Sequence, residues 1–310
     1  MKKMPKIALG AWAWGNDGTF GGNLTSEALK PVFDTAMKEG LNLWDTAYAY
    51  GMGTSEKVLG EFLATVPRDS YLISDKFTPQ CADPSAENAV TALYEKSAEL
   101  LGTDYMDFYW IHNPMDAPKW VTELIPLAKS GKIGKIGLSN HSLAEIKEAA
   151  DILAKEGLKI SAIQNHYSLL NRSSETSGIL DYCKENDITF FSYMVLEQGA
   201  LTGKYDTEHP FPEDSDRGRT YNPMLPKLEK LNKGLEEIAD RHHVAPAQSP
   251  VAWVIAKGTL PIIGVTKVYQ VEDAVKAAAV ELSAEEIETL EKLGDETQVN
   301  VIRYWEKEMK

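Results

Sequence analysis

The chain has 310 residues, 43% of them apolar, and a formal net charge of −14. The apolar share is ample for a large core, and the acidic balance argues against nucleic acid or an anionic membrane surface as the main partner, since both require clustered Lys and Arg. Two cysteines, Cys81 and Cys183, fit no metal or redox spacing and read as those of a reduced, cytoplasmic protein, and no apolar run approaches the ~18 residues of a membrane span.

The first apolar stretch, residues 7–14, follows Lys2 and Lys3 and contains Ala11-Trp12-Ala13, which imitates a leader with a cleavage site. It is short and runs into Gly15-Asn16-Asp17, so it reads as a first strand over residues 6–13. Further strands are predicted over 41–45, 71–76, 106–112, 133–139, 160–165, 188–193 and 259–264. The segments between them, such as 142–156 and 226–242, carry helical periodicity with Glu, Lys, Ala and Leu. Eight strands alternating with helices imply a parallel sheet, because each parallel crossover needs a helix-sized return. The spacing suits a single (β/α)8 TIM barrel of about 250 residues or more. One long insertion, 205–226, is rich in Pro, Asp, Arg and Gly and reads as a lid, a binding loop or a disordered segment. A doubly wound open sheet is the rival fold. It wants a glycine-rich turn after the first strand, and Gly51-Met52-Gly53-Thr54-Ser55-Glu56 only begins like one.

Three successive strands end in polar, titratable residues. They are Trp44-Asp45-Thr46-Ala47-Tyr48-Ala49-Tyr50-Gly51, Ile73-Ser74-Asp75-Lys76 and Trp110-Ile111-His112-Asn113-Pro114. In a barrel those ends share one face. Strand alternation points Asp45 and Leu43 inward and Trp44 outward, and places Trp110 beneath His112 with Ile111 facing out. A lysine at the end of an inward strand must be paired or shifted, and Asp45 is its plausible partner, whether as a structural ion pair or as catalytic machinery. His112 taken alone reads equally as a core histidine or a metal ligand. Together, a carboxylate, an ammonium, a phenol and an imidazole make a proton-delivery device. Lys76 stabilises the phenolate and lowers the tyrosine pKa from near ~10, Asp45 keeps Lys76 charged, His112 orients the substrate oxygen and Tyr50 delivers the proton.

Asp45, Tyr50, Lys76 and His112 resemble the active-site tetrad of the aldo-keto reductases, and the resemblance runs from Lys6 to about Leu293. It implies NADP(H)-dependent reduction of a small-molecule carbonyl. It also implies a cofactor bed on the remaining strand ends. Ser139 and Asn140 in Gly137-Leu138-Ser139-Asn140-His141, with Gln164 in Gln164-Asn165-His166-Tyr167, are similar to the family's holders of the nicotinamide carboxamide, and Tyr193 to the ring that stacks on the nicotinamide. Met194, Leu196, Gly199, Leu201 and Lys204 resemble the segment around the pyrophosphate, with Arg217 and Arg219 able to close over it or to remain solvated loop charge. Gly264, Thr266, Lys267, Gln270 and Asp273 resemble the site for the adenosine 2′-phosphate, and Lys267 favours NADPH over NADH, although it is also readable as an ordinary surface lysine. Ala11, Trp12 and Asp45 complete the bed, and Trp12, Tyr50, His112 and Asn113 line the substrate pocket. Departures from the family pattern stand at Met194, Val195 and Glu197, at Ala274, where many members carry an asparagine, and at Ala11, a common threonine. The aromatic tail Val301-Ile302-Arg303-Tyr304-Trp305 is expected either near the pocket or on the barrel base. Two other functions remain open at this point. One is a cofactor-binding sensor with negligible turnover; the other is a metal-dependent hydrolase on Asp45, His112 and His166. Oligomeric state is not legible.

Overall fold

The computed structural model describes residues 3–20, 22–303 and 305–309. Eight parallel strands close into a barrel: β1 (Ala8–Gly10), β2 (Leu43–Asp45), β3 (Leu72–Phe77), β4 (Met106–Ile111), β5 (Ile133–Ser139), β6 (Ile160–His166), β7 (Thr189–Tyr193) and β8 (Leu260–Gly264). Each pairs with the next, and β8 returns to β1 through Ala8 against Ile262 and Gly10 against Gly264. The outer layer is built from α1 (Ser26–Lys38), α2 (Thr54–Leu63), α3 (Ala89–Leu101), α4 (Ala117–Lys129), α5 (Leu143–Ala154), α6 (Ser173–Thr176), α7 (Ile179–Glu185), α8 (Asp216–Tyr221), α9 (Leu225–His242), α10 (Gln248–Ala256), α11 (Val268–Ala277) and α12 (Ala284–Glu296).

Local chemistry explains where the helices begin. The Thr25 and Asn88 side chains accept the third amide of α1 and α3, and Ser142 with Glu145 and Ser283 with Glu286 form capping boxes on α5 and α12. Gly102, in the left-handed region at φ 64°, ends α3.

Strand alternation divides the apolar residues into two cores. Ala8, Leu43, Leu72, Phe108, Trp110, Ala162, Phe191 and Leu260 fill the barrel interior. Trp44, Ile73 and Ile111 face the other way, into the larger layer under the helices. Leu43 and Trp110 thus point inward and Trp44 and Ile111 outward, as the alternation predicts. Each such large side chain contributes about 1.5–3 kcal/mol by leaving water.

The first strand differs from its prediction over 6–13. Pairing stops at Gly10, and the chain turns through a 3-10 helix, Trp12–Gly15. The turn is anchored by Trp14, whose wholly buried ring donates from Nε1 to the Val265 carbonyl at 2.7 Å. Ala11 and Trp12 therefore sit beyond the strand rather than on it. The insertion 205–226 contains α8 and a 3-10 turn, Asn222–Met224, and buries Phe211 and Tyr221. Among the described residues no helix is long and apolar enough to cross a membrane.

Candidate active site

The loop after β2 carries Tyr50 back over the barrel mouth. Two glycines hold it there: a methyl group on Gly15 would meet the Tyr50 carbonyl oxygen at 2.6 Å, and one on Gly51 would meet the Gly15 carbonyl oxygen at 2.1 Å. Gly51 also has φ 68°, a conformation that other residues adopt at a cost. Ser55, the second residue of α2, donates to the Ala11 carbonyl at 2.7 Å, and its Oγ lies 2.9 Å from Thr46 Oγ1. The tyrosine loop is thereby tied to the first turn from both sides.

All four tetrad residues meet. Lys76 Nζ donates to Asp45 Oδ2 at 2.6 Å, to the Thr46 carbonyl at 2.7 Å and to the Tyr50 hydroxyl at 3.3 Å. Asp45 Oδ1 accepts from Ser74 Oγ at 2.7 Å and Gln164 Nε2 at 3.1 Å, and Ser74 in turn accepts from Trp110 Nε1 at 2.7 Å. The carboxylate is thus fixed on both oxygens, which orients the ammonium. Burial alone would lower the Lys76 pKa, but Asp45 and then Tyr50 more than offset it, so the ammonium is held above its ordinary range. Burial raises the Tyr50 phenol above its ordinary value, and Lys76 opposes that rise. Lys76 acts in the expected direction, but in this protein it counteracts desolvation rather than taking the phenol below ~10.

His112 follows β4 and shares a 2.7 Å hydrogen bond between Nδ1 and Thr78 Oγ1. Its ring meets the Tyr50 ring edge-on at 5.7 Å. Burial, helped by the Lys76 charge, pushes its pKa well down, so the imidazole is neutral. A Thr78 hydroxyl that donates to Nδ1 leaves the proton of the neutral ring on Nε2.

The residues expected to hold a cofactor are placed as follows. Asn140 Nδ2 donates to the His112 carbonyl at 3.0 Å and to Ser139 Oγ at 3.1 Å. The Tyr193 hydroxyl stands 2.5 Å from Asn140 Oδ1 and 2.8 Å from Glu306 Oε1, so its one proton is divided between two acceptors. Met194, Glu197 and Gln198 have φ of 59°, 47° and 51°, and with Gly199 they make a left-handed turn after β7. Leu196 is half-buried and Leu201 buried in this turn, while Lys204 lies over the Tyr205 ring at 5.1 Å. Ala11 uses its own amide on the Asp45 carbonyl at 2.9 Å. Thr266, Lys267 and Gln270 gather at the start of α11, where Gln270 Oε1 accepts the Thr266 and Lys267 amides at 2.7 and 2.9 Å, and Gly264 is exposed beside them. Asp273 accepts from Gln248 Nε2 at 2.8 Å. Arg219 pairs with Asp216 in its own loop and is largely exposed, whereas Arg217 reaches the turn, donating to the Gln198 carbonyl at 3.4 Å. Asn113, after His112, donates to Gln80 Oε1 at 2.8 Å.

Residues 6–295 match the model of the Aldo/keto reductase family. The chain belongs to that family and is an oxidoreductase of its class. An aldo-keto reductase of Gibberella moniliformis is 33% identical over 97% of this chain and 94% of its own length. The chloroplastic pyridoxal reductase of Arabidopsis thaliana is 29% identical over 96% of this chain and 85% of its own. Among solved structures, a glycerol dehydrogenase of Gluconobacter oxydans superposes with a TM-score of 0.83 at 25% identity, covering 97% of this chain and 94% of that one.

Within this aldo/keto reductase, the C-terminal tail lies at the barrel mouth and not on the base. Trp305 meets Trp12 edge-on at 5.5 Å, Trp12 stacks on Tyr50 at 5.5 Å, and Phe20 meets Trp12 edge-on at 5.1 Å. Tyr304, the other aromatic residue expected in the tail, lies outside the described residues. Glu306 Oε2 accepts from His166 Nδ1 at 2.9 Å, and His166 Nε2 binds Glu197 Oε1 at 2.8 Å. Glu197 is wholly buried and also takes the Ser168 and Tyr221 hydroxyls. Burial alone would lower His166, but the two flanking carboxylates raise it to about 10, so it is a cation. His166 is therefore an ion-pair partner at the end of β6. Among the described residues no group of three or more His, Cys, Asp or Glu is set to hold a metal ion.

Sequence reading missed Ser74, Thr78, His166 as a cation, Glu197 and Glu306. Ser74 and Thr78 were findable: both flank Lys76 at inward-facing positions of β3 and its continuation. Glu306 gave no signal, because nothing in the local sequence ties the tail to β6 and β7.

Proposed function

We propose that the protein reduces small aldehydes and ketones to alcohols with NADPH, Tyr50 acting as the general acid. The observation that carries this reading is the Lys76 ammonium, wholly buried and set between the Asp45 carboxylate and the Tyr50 hydroxyl, beside a neutral His112. NADPH, when bound, supplies the hydride. His112 Nε2 donates to the carbonyl oxygen and orients it. Tyr50 transfers its proton to the developing alkoxide, and Lys76, held by Asp45, stabilises the phenolate left behind. A positioned acid of this kind is worth about 10² to 10⁴ in rate.

The chain's own residues suit the cofactor. In the turn after β7, two donors, Gln198 Nε2 and Arg217 Nε, are buried without partners, which suits a pyrophosphate. Ser139, Asn140 and Gln164 are assigned to the carboxamide and Tyr193 to the nicotinamide ring. These groups bond to one another and to Asp45 and Glu306, contacts that they would exchange in holding the carboxamide. Thr266 and Lys267, at the start of α11, are assigned to the 2′-phosphate. Of the two arginines expected to close over the pyrophosphate, Arg217 is the one that reaches Gln198, and we assign it there.

The mouth is walled by Trp12, Phe20, Tyr50 and Trp305. Such walls suit small or aromatic carbonyls and discriminate weakly, by about 1–3 kcal/mol per methylene. With Cys81 and Cys183 both free, we place the enzyme in the reducing cytoplasm. The test is oxidation of NADPH against a panel of aldehydes and ketones, wild type beside Tyr50→Phe. Turnover that falls about 10²- to 10⁴-fold in the variant, with NADPH binding retained, supports the acid assignment. A second reading, a cofactor-binding sensor, draws on the Glu306 contacts over Tyr193. NADPH binding without steady-state turnover in the wild type would favour it.

A further inference from the structure

Because Lys76 points into the barrel, its neighbour Asp75 points out, into the layer under α2 and α3. It meets Glu56 from the first turn of α2, with Ser97 of α3 and Tyr109 of β4 beside them, and all four are wholly buried. Both oxygens of each carboxyl, the Ser97 hydroxyl and the Tyr109 hydroxyl are buried without a hydrogen-bond partner. Among the described residues no cation closes on the pair. Lys76 Nζ is turned to Asp45, Thr46 and Tyr50; Lys96 of α3 lies over the Tyr48 ring at 4.5 Å; Arg68 binds Asp107. The other titratable groups that face the pair are the Cys81 thiol after β3, Tyr94 of α3, and Asp45 on the barrel side.

Two carboxylates side by side in such a place cannot both stay ionised; one proton held between them gives an O–H···O⁻ hydrogen bond instead. Burial, with Asp75 adding to it, pushes Glu56 up to about 9, and burial pushes Asp75 up to about 7. We propose that Glu56 and Asp75 are positioning residues of the reductase reaction, a proton-sharing carboxyl pair that ties the segment carrying Tyr50 to the strand carrying Lys76. This rests on the reading of Tyr50 and Lys76 as acid and ammonium. Glu56 opens the helix that follows the tyrosine loop, and Asp75 adjoins Lys76, so the bond between them sets the spacing of the two groups at 3.3 Å. The pair touches neither substrate nor cofactor. When alkali removes the shared proton to solvent, two anions face each other, α2 and β3 are pushed apart, and Tyr50 moves off Lys76.

The test is the pH profile of kcat from about pH 6 to about pH 10, at saturating NADPH and carbonyl, for wild type, Glu56→Gln and Glu56→Ala. Glutamine donates to Asp75 without a titratable proton. Glu56→Gln is expected to keep most of kcat near neutrality and to move the alkaline fall up by about one pH unit or more. Glu56→Ala is expected to lose about tenfold in kcat with the carbonyl KM little changed. An infrared titration of the wild type reads the pair directly, whatever the variants' fate. A protonated-carboxyl band at neutral pH, absent in Glu56→Gln and lost with alkali, is expected. A Glu56→Gln profile that superposes on the wild type, or no such band, would overturn the proposal. Full turnover in Tyr50→Phe would overturn the acid assignment instead, and the infrared band distinguishes the two failures.

Discussion

The backbones of Gly15 and Gly51 touch, so closely that neither residue has room for a Cβ atom. This contact, made by the turns that follow the neighbouring strands β1 and β2, sets the height of Tyr50 above Lys76. Gly15→Ala forces its methyl group onto the Tyr50 carbonyl, where the neighbour is backbone and cannot swing aside. We expect kcat to fall about 10²-fold, since a displacement near 1 Å is enough for that, while NADPH affinity changes little. Steady-state kinetics with a separate cofactor titration checks it; wild-type kcat in Gly15→Ala would mean that the loop is free to adjust.

Asp45 and Lys76 form an ion pair with almost no access to water. Removing one partner of such a pair leaves a buried charge and typically costs about 3–5 kcal/mol. Asp45→Asn is therefore expected to lose stability of that order in urea unfolding, and to lose turnover because the unpaired ammonium sheds its proton more readily. The double variant Asp45→Asn/Lys76→Met removes the orphaned charge, so it is expected to regain much of the stability and none of the activity. A double variant no more stable than the single would show that the cost lies in packing around Ser74 and Gln164.

The chain made the barrel legible because its parallel strands are apolar runs at regular spacing, three successive ones closed by a polar, titratable residue, and because alternation assigns Leu43, Trp44, Trp110 and Ile111 to their faces without tertiary information. The tetrad was legible for the same reason: Asp45, Lys76 and His112 stand at or just beyond strand ends, where register fixes direction. Resolution failed where a loop sets direction. Arg217 and Arg219 are two residues apart on α8 and so face different ways: Arg217 reaches Gln198 and Arg219 pairs with Asp216. The first strand stopped at Gly10 because burial of Trp14 outweighs three more residues of β propensity. The His166–Glu306 contact joins residues 140 positions apart through an aperiodic tail, which no local pattern encodes.

His166 lies between Glu197 and Glu306, and its pKa in the folded state is about 10 against an ordinary 6.5. A raised histidine contributes stability that is fully present below its unfolded pKa and is lost as pH climbs through the folded value. Burial would raise the Glu306 pKa, but His166 more than offsets that and holds it below the ordinary 4.5, so its contribution is present above that value and is lost as pH falls through the lowered one. The latch is thus complete between about pH 4.5 and 6.5 and weakens toward pH 10. The thermal midpoint of the wild type is expected to fall over that upper range by a few degrees more than that of His166→Gln. Equal slopes for the two proteins would mean that His166 stays neutral and that the tail is held by packing alone.

Glu306 also bears on cofactor entry, because it holds the hydroxyl of Tyr193, the residue assigned to the nicotinamide ring. Its carboxylate is nearly inaccessible to water and makes charge-assisted bonds worth about 1.5–3 kcal/mol each, so exchanging them opposes binding. Glu306→Ala removes that opposition without touching Ser139, Asn140 or Gln164. NADPH is expected to bind about tenfold more tightly to the variant, which corresponds to about 1.4 kcal/mol, with the gain carried mostly by a faster association. Fluorescence titration and stopped-flow mixing measure both. Weaker binding in Glu306→Ala would reverse the assignment and make Glu306 a residue that holds the bound cofactor's surroundings in place.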